Sequence, residues 1–96
     1  MPFRKDLVLD DFSPNLGEPY EAGVQGEEIT LVLEEATALP PSAREGGSFR
    51  LVFRGPHEPI LPQAIHPLRR GEASFDIFIV PLQPDRSGVP YEAIFN

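Results

Sequence analysis

The chain has 96 residues, 12 prolines, no cysteine, and 15 acids against 8 lysines and arginines, for a formal charge of −7 at pH 7. Its size makes one domain, residues 1–96, able to remove roughly 60–65% of the unfolded surface from water, and a hydrophobic content of 41% sets it apart from disordered chains. Disulfides and thiolate metal sites are excluded, the prolines leave no room for long helices, and the acidity argues against phosphate backbones and anionic lipid as partners.

The charge is unevenly placed, with ten acids and three bases in residues 1–47 and five of each in residues 48–96. Arg50, Arg54, Arg69 and Arg70 could gather into a local basic patch, but intermixed surface charge is the common condition, and they are expected to pair with acids from the first half. The opening "MPFRKDLVLDDF" sets acids where a signal peptide needs an apolar run, and no stretch nears the ~18 apolar residues of a membrane span. A soluble, cytoplasmic protein is the default expectation.

In chain order, Lys5–Phe12 has room for a short helical turn whose apolar residues would plug one end of a sheet structure. "SPNLG" then reads as a turn. "EPYEAGV" predicts a short strand. "EEITLVLEEAT" predicts a stronger one, with Ile29, Leu31 and Leu33 alternating against Thr30, Val32 and Glu34, the period of two that a half-buried strand requires. After a loop rich in Pro and Gly, "SFRLVFRG" puts Phe49, Leu51 and Phe53 on one face and Arg50, Val52 and Arg54 on the other, pairing antiparallel with the strand before it. The prolines of "PHEPILPQAIHPLRRG" limit that stretch to a short edge strand near Gln63–His66. "EASFDIFIVPL" and "GVPYEAIFN" return to strong strand character around the turn "QPDRSG".

If these last two strands form a hairpin, the apolar pattern predicts Phe75 opposite Phe95, Ile77 opposite Ala93 and Ile79 opposite Tyr91, giving one wholly apolar face. The opposite face would carry Phe78, Val80 and Ile94 among Asp76, Glu92 and Pro90. Those three apolar residues need a cover, either the N-terminal segment or another protein surface. The fold expectation is all-β, a small single-domain barrel or sandwich of five to six mainly antiparallel strands.

The residue types give little chemistry. Five serines and two histidines, His57 and His66, form no nucleophile-elbow pattern, so no catalytic residue is assigned. The doublets Asp10-Asp11, Glu27-Glu28 and Glu34-Glu35 do not promise paired carboxylates, since neighbours on a strand face opposite ways. His57, Glu58 and His66 fit no compact metal-ligand spacing, and no glycine-rich loop opens a helix to cradle phosphate, so neither metal nor cofactor is assigned. Phe49 and Phe53 lie opposite Arg50 and Arg54, unlike a platform for single-stranded nucleic acid.

"SFRLVFRGP", "LPQ" and the closing "FDIFIVPLQPDRSGVPYEAIFN", together with the early "DDFSPNLGEPYEA", resemble a small bacterial family of β-rich proteins of unknown function. Where that family's pattern has a glycine and a tyrosine before its histidine, this chain has Ala64 and Ile65. The resemblance implies a compact β domain with no catalytic residues to carry over, and an association with tail-collar-like phage or fibre proteins.

Three functional expectations follow. The first is a noncatalytic module that assembles with itself or with a partner protein through Phe78, Val80 and Ile94. The second is a small-ligand binder or enzyme using a barrel mouth, with His66, Arg69, Arg70 and Glu92 as its polar groups. The third is a phage-tail accessory or assembly factor.

Overall fold

Period-two alternation organises nearly the whole chain. The computed structural model describes residues 7–24, 26–41, 44 and 46–96. Among them are six strands, β1 (Pro19–Val24), β2 (Glu27–Ala38), β3 (Phe49–Gly55), β4 (Ala64–Arg70), β5 (Ala73–Pro81) and β6 (Val89–Phe95). They form a closed antiparallel barrel in the order β1-β2-β3-β6-β5-β4. The all-β fold expected from the sequence, a barrel or sandwich of five to six mainly antiparallel strands, is thus observed as the six-stranded barrel.

The alternating residues behave as the pattern requires. Ile29, Leu31 and Leu33 of β2, Phe49, Leu51 and Phe53 of β3, Ile77 and Ile79 of β5, and Tyr91 and Ala93 of β6 are all buried. Fully burying one such large side chain is worth about 1.5–3 kcal/mol relative to leaving it exposed, so this set supplies much of the barrel's stability. β2 and β3 pair antiparallel across the Pro/Gly loop, with Leu33 opposite Phe53 and Ala36 opposite Leu51.

Both ends of the barrel are filled. At one end two 3-10 turns, Leu9–Asp11 and Ser13–Asn15, replace the short helix allowed over Lys5–Phe12, of which residues 5 and 6 lie outside the described residues. The first turn is closed by the Val8 N–H donating to the Asp11 carboxylate at 2.8 Å. Between the turns Phe12, fully buried, enters the barrel with its ring 5.2 Å from Phe75, 6.1 Å from Phe49 and 6.3 Å from Phe95. Phe49 and Phe95 stack at 4.4 Å, and the Arg44 guanidinium covers both rings from outside. At the other end the proline-rich segment between β3 and β4 sends Leu61 inward to full burial, and the Leu61 N–H donates to the Tyr91 hydroxyl at 2.9 Å. The segment's prolines thus serve a lid.

Three expectations need correction. The β5–β6 hairpin pairs Val80 with Glu92 and Pro81 with Tyr91, two residues away from the register drawn from the apolar pattern. Turn geometry sets it: Asp85 and Gly88 exchange backbone hydrogen bonds, and the Leu82 N–H donates to the Pro90 carbonyl. Gly88 has φ +133 and so close an approach to the Gly55 carbonyl that a Cβ would lie 2.1 Å from its oxygen. A slip of two keeps every side chain on its face, so the facial assignment survives.

The second correction concerns β4, which is no short edge strand. It runs for seven residues through Pro67 and pairs with β5 along its whole length, Ala64 opposite Ile79 to Arg70 opposite Ala73. On its other side the ladder to β1 consists of Glu21 opposite Arg69, and a proline is tolerated beside so sparse a seam because few donors are called for there.

The third is the Glu34-Glu35 doublet. The β2–β3 register shifts between Leu33 and Glu35, the mark of a β-bulge, in which two residues oppose one and the alternation skips a beat. Both carboxylates consequently face outward.

Candidate functional site

The outer wall shows two kinds of surface. On β2 and β3 the bulge presents Glu34 and Glu35 to the two outward arginines of β3. Arg50 binds Glu35 at 2.8 Å and Glu92 of β6 at 2.6 Å. Arg54 binds Glu34 at 2.7 Å and Asp85 of the β5–β6 turn at 2.6 Å. The carboxylates hold both guanidinium groups more firmly protonated than usual, Glu92 being the main cause at Arg50 and Glu34 at Arg54. Asp85 is held below the ordinary carboxylate range, first by the Ser87 N–H that donates to it at 2.8 Å and further by Arg54. The expected pairing of Arg50, Arg54, Arg69 and Arg70 with acids from the first half is seen at all four, Arg69 meeting Glu28 and Arg70 meeting Glu18.

Across the barrel, the walls of β4, β5 and β6 carry an apolar group. Phe78 is 49% exposed, Ile94 46% and Ile65 67%. Ile65 is the direct partner of Phe78, and Ile94 lies outward on β6, the next strand round, two residues beyond the Val80–Glu92 pair at which the β5–β6 ladder ends. Val80, one step along β5, is half-buried. The expected face of Phe78, Val80 and Ile94 therefore exists, and it gains Ile65. Reading Gln63–His66 as a mere edge fragment hid that residue, although the inward Leu68, three positions on, already implies an outward Ile65. The 3-10 turns do not supply its cover, because Phe12 goes into the barrel end.

The four polar candidates separate. His66 shares its Nε2 proton with the Pro62 carbonyl at 2.7 Å, and Glu92 is engaged by Arg50 on the outer wall. Arg69 and Arg70 do meet, around a shallow hollow of about 350 Å³ whose other lining residues are Glu18, Pro19, Glu21 and Gly71. Among the described residues, the buried Arg70 Nε has no hydrogen-bond partner. Burial raises the Tyr20 pKa, with the Asn15 side chain and Arg70 acting against it. A second concavity, about 540 Å³, lies over Val32, Gly55 and Pro56 beside the Arg54 ion pairs. His57 sits elsewhere, its Nε2 on the Asp85 carbonyl at 2.7 Å. Among the described residues no three of His, Asp and Glu gather as a metal ion would need, and no helix is long and apolar enough to cross a membrane.

Residues 7–95 match the model of a family described as Domain of unknown function (DUF6916), and the chain belongs to that family. No curated protein and no solved structure matches it.

Proposed function

We propose that this family member is a noncatalytic module that works by protein contact through the β4–β5–β6 wall. The observation that carries the reading is the group Ile65, Phe78 and Ile94, three large apolar side chains on adjoining strands, 67%, 49% and 46% exposed, the first two directly opposite each other. Apolar side chains grouped on one wall and rimmed by polar groups support a contact surface there, since the largest apolar patch of a small protein is often functional. The filled barrel ends support it further, since Phe12 and Leu61 occupy the mouths that a ligand would enter.

A photo-crosslinking amino acid placed in turn at Ile65, Phe78 and Ile94, and across the barrel at Glu21 and Thr30, tests this in extracts of the source cell. Protein crosslinks are expected from the first three positions and not from the last two. Equal capture from both walls, or capture from neither, refutes the reading. A narrower version, an accessory of a phage-tail or fibre protein, rests on the sequence resemblance and predicts that the captured protein is of that kind.

A second reading, a small polar ligand held by Arg69 and Arg70, is favoured by the unpartnered Nε of Arg70, which lines their hollow. It ranks lower because Glu18 and Glu28 already answer the charge of the two guanidinium groups.

A further inference from the structure

We infer that the surface docking on the β4–β5–β6 wall is the same wall of a second copy of this chain, in a weak two-fold dimer. The inference rests on the contact reading above and names its partner.

Charge placement is the first argument. Two copies of net charge −7 repel unless they meet where the excess is least. In the strand order of the closed barrel β5 lies diametrically across from β2, and β1, β2 and the turn before them hold Glu18, Glu21, Glu27, Glu28, Glu34 and Glu35. Joining the β5 sides therefore places the acid-rich β1–β2 sides at maximum separation. Beside the group itself, Arg50, which pairs with Ile94 across the ladder, offsets Glu35 and Glu92.

Symmetry is the second. A two-fold contact is self-complementary, each surface meeting its own copy. With the axis laid through Ile65 and Phe78, which face each other across the β4–β5 ladder, each of these meets its own copy, with Ile94 on the next strand beside them. That same axis turns β5 end for end, so Asp76 of one copy faces the half-buried Val80 of the other. The two Asp76 carboxylates then stand about four strand residues apart, roughly 13 Å, beyond the ~8 Å screening length at physiological salt.

Area sets the strength. An aromatic side chain offers about 150–250 Å² when wholly buried, so a half-exposed Phe78 with its two isoleucine neighbours contributes on the order of 300 Å² per copy, well under the ~800 Å² per partner of a standard interface. The dimer is accordingly weak and transient.

Sedimentation velocity over a series from micromolar to millimolar protein decides the matter. The mass average is expected to climb from monomer toward dimer for the wild type, and to stay at monomer for Phe78→Asp and Ile65→Lys, both of which replace exposed side chains and keep the wild-type circular dichroism. Thr30→Lys, across the barrel, should dimerise like the wild type. A wild type that remains monomeric to millimolar concentration, or a dimer that persists in both β4–β5 variants, overturns the inference. If the wild type is monomeric while crosslinkers on that wall capture another protein, the second-copy inference fails and the contact reading stands; a dimer broken only by substitution on β2 removes both.

Discussion

The β2–β3 wall and the β4–β5–β6 wall share one construction and end in opposite surfaces. Inward, both supply side chains of the same kind, such as Leu33 and Phe53 on one side and Leu68 and Ile77 on the other, all fully buried. Outward, the first wall carries Arg50 and Arg54, each between two carboxylates, and the second carries Ile65, Phe78 and Ile94 in solvent. Water exclusion dictates the inner half of each strand and leaves the outer half free, so walls that match inward can differ outward.

The contrast is sharpest between adjacent residues of β5. Ile77→Ala should destabilise the monomer by about 3 kcal/mol, through lost burial and the cavity left behind. Phe78→Ala should cost no more than ~0.5 kcal/mol, as for an exposed site away from special features. Urea unfolding of the two variants at low protein concentration measures both, and comparable losses would mean that the outer wall is packed against something in the monomer.

The ion-paired wall should yield a smaller effect. Arg50→Met removes two partners at once, and partly exposed pairs are worth ~0.2–1 kcal/mol each, so a loss of about 1 kcal/mol is expected, shrinking in molar salt. A double-mutant cycle with Glu92→Gln isolates the stronger of the two pairs, and a coupling indistinguishable from zero would show that this wall is ionic decoration.

The smallest effect is a titration. Asp85 has a lowered pKa in the fold, so its contribution to stability is present above the ordinary carboxylate value of ~3.9 and is lost as pH falls through its lower folded value. Carbon-detected NMR of the Asp85 carboxyl should show that depressed midpoint. In Arg54→Met the midpoint should rise only part of the way back, because the Ser87 N–H is the larger cause; a complete return would reverse that order.

Much of the architecture was legible from alternation alone. β2, β3, β5 and β6 announce themselves because a half-buried strand must alternate, and Phe12 could be read as a plug because a short apolar turn before an all-β chain has few other places to go. The failures have local causes. Pro67 broke the pattern of β4 and obscured Ile65, although a seam with little pairing accepts a proline at low cost. The β5–β6 register was set by the turn from Asp85 to Gly88, whose backbone bonds outweigh the apolar pairing that two neighbouring registers satisfy equally well. The bulge that turns both Glu34 and Glu35 outward is invisible in sequence, since an extra residue among glutamates disturbs no apolar period. Of the proposed contact face, Phe78 and Ile94 were legible as apolar residues facing the wrong way, whereas the dispersal of His66 and Glu92 to separate partners needed the three-dimensional fold.

Closure of the six strands into a ring has one more consequence. A flat sheet leaves backbone donors and acceptors along two margins, and such margins recruit further strands without limit, which is how fibrils grow. A ring narrows those margins to the sparse β1–β4 seam, so a neighbour met elsewhere on the wall would be held by side chains across a patch of fixed extent, and once such a patch is taken, growth stops at a countable number of molecules.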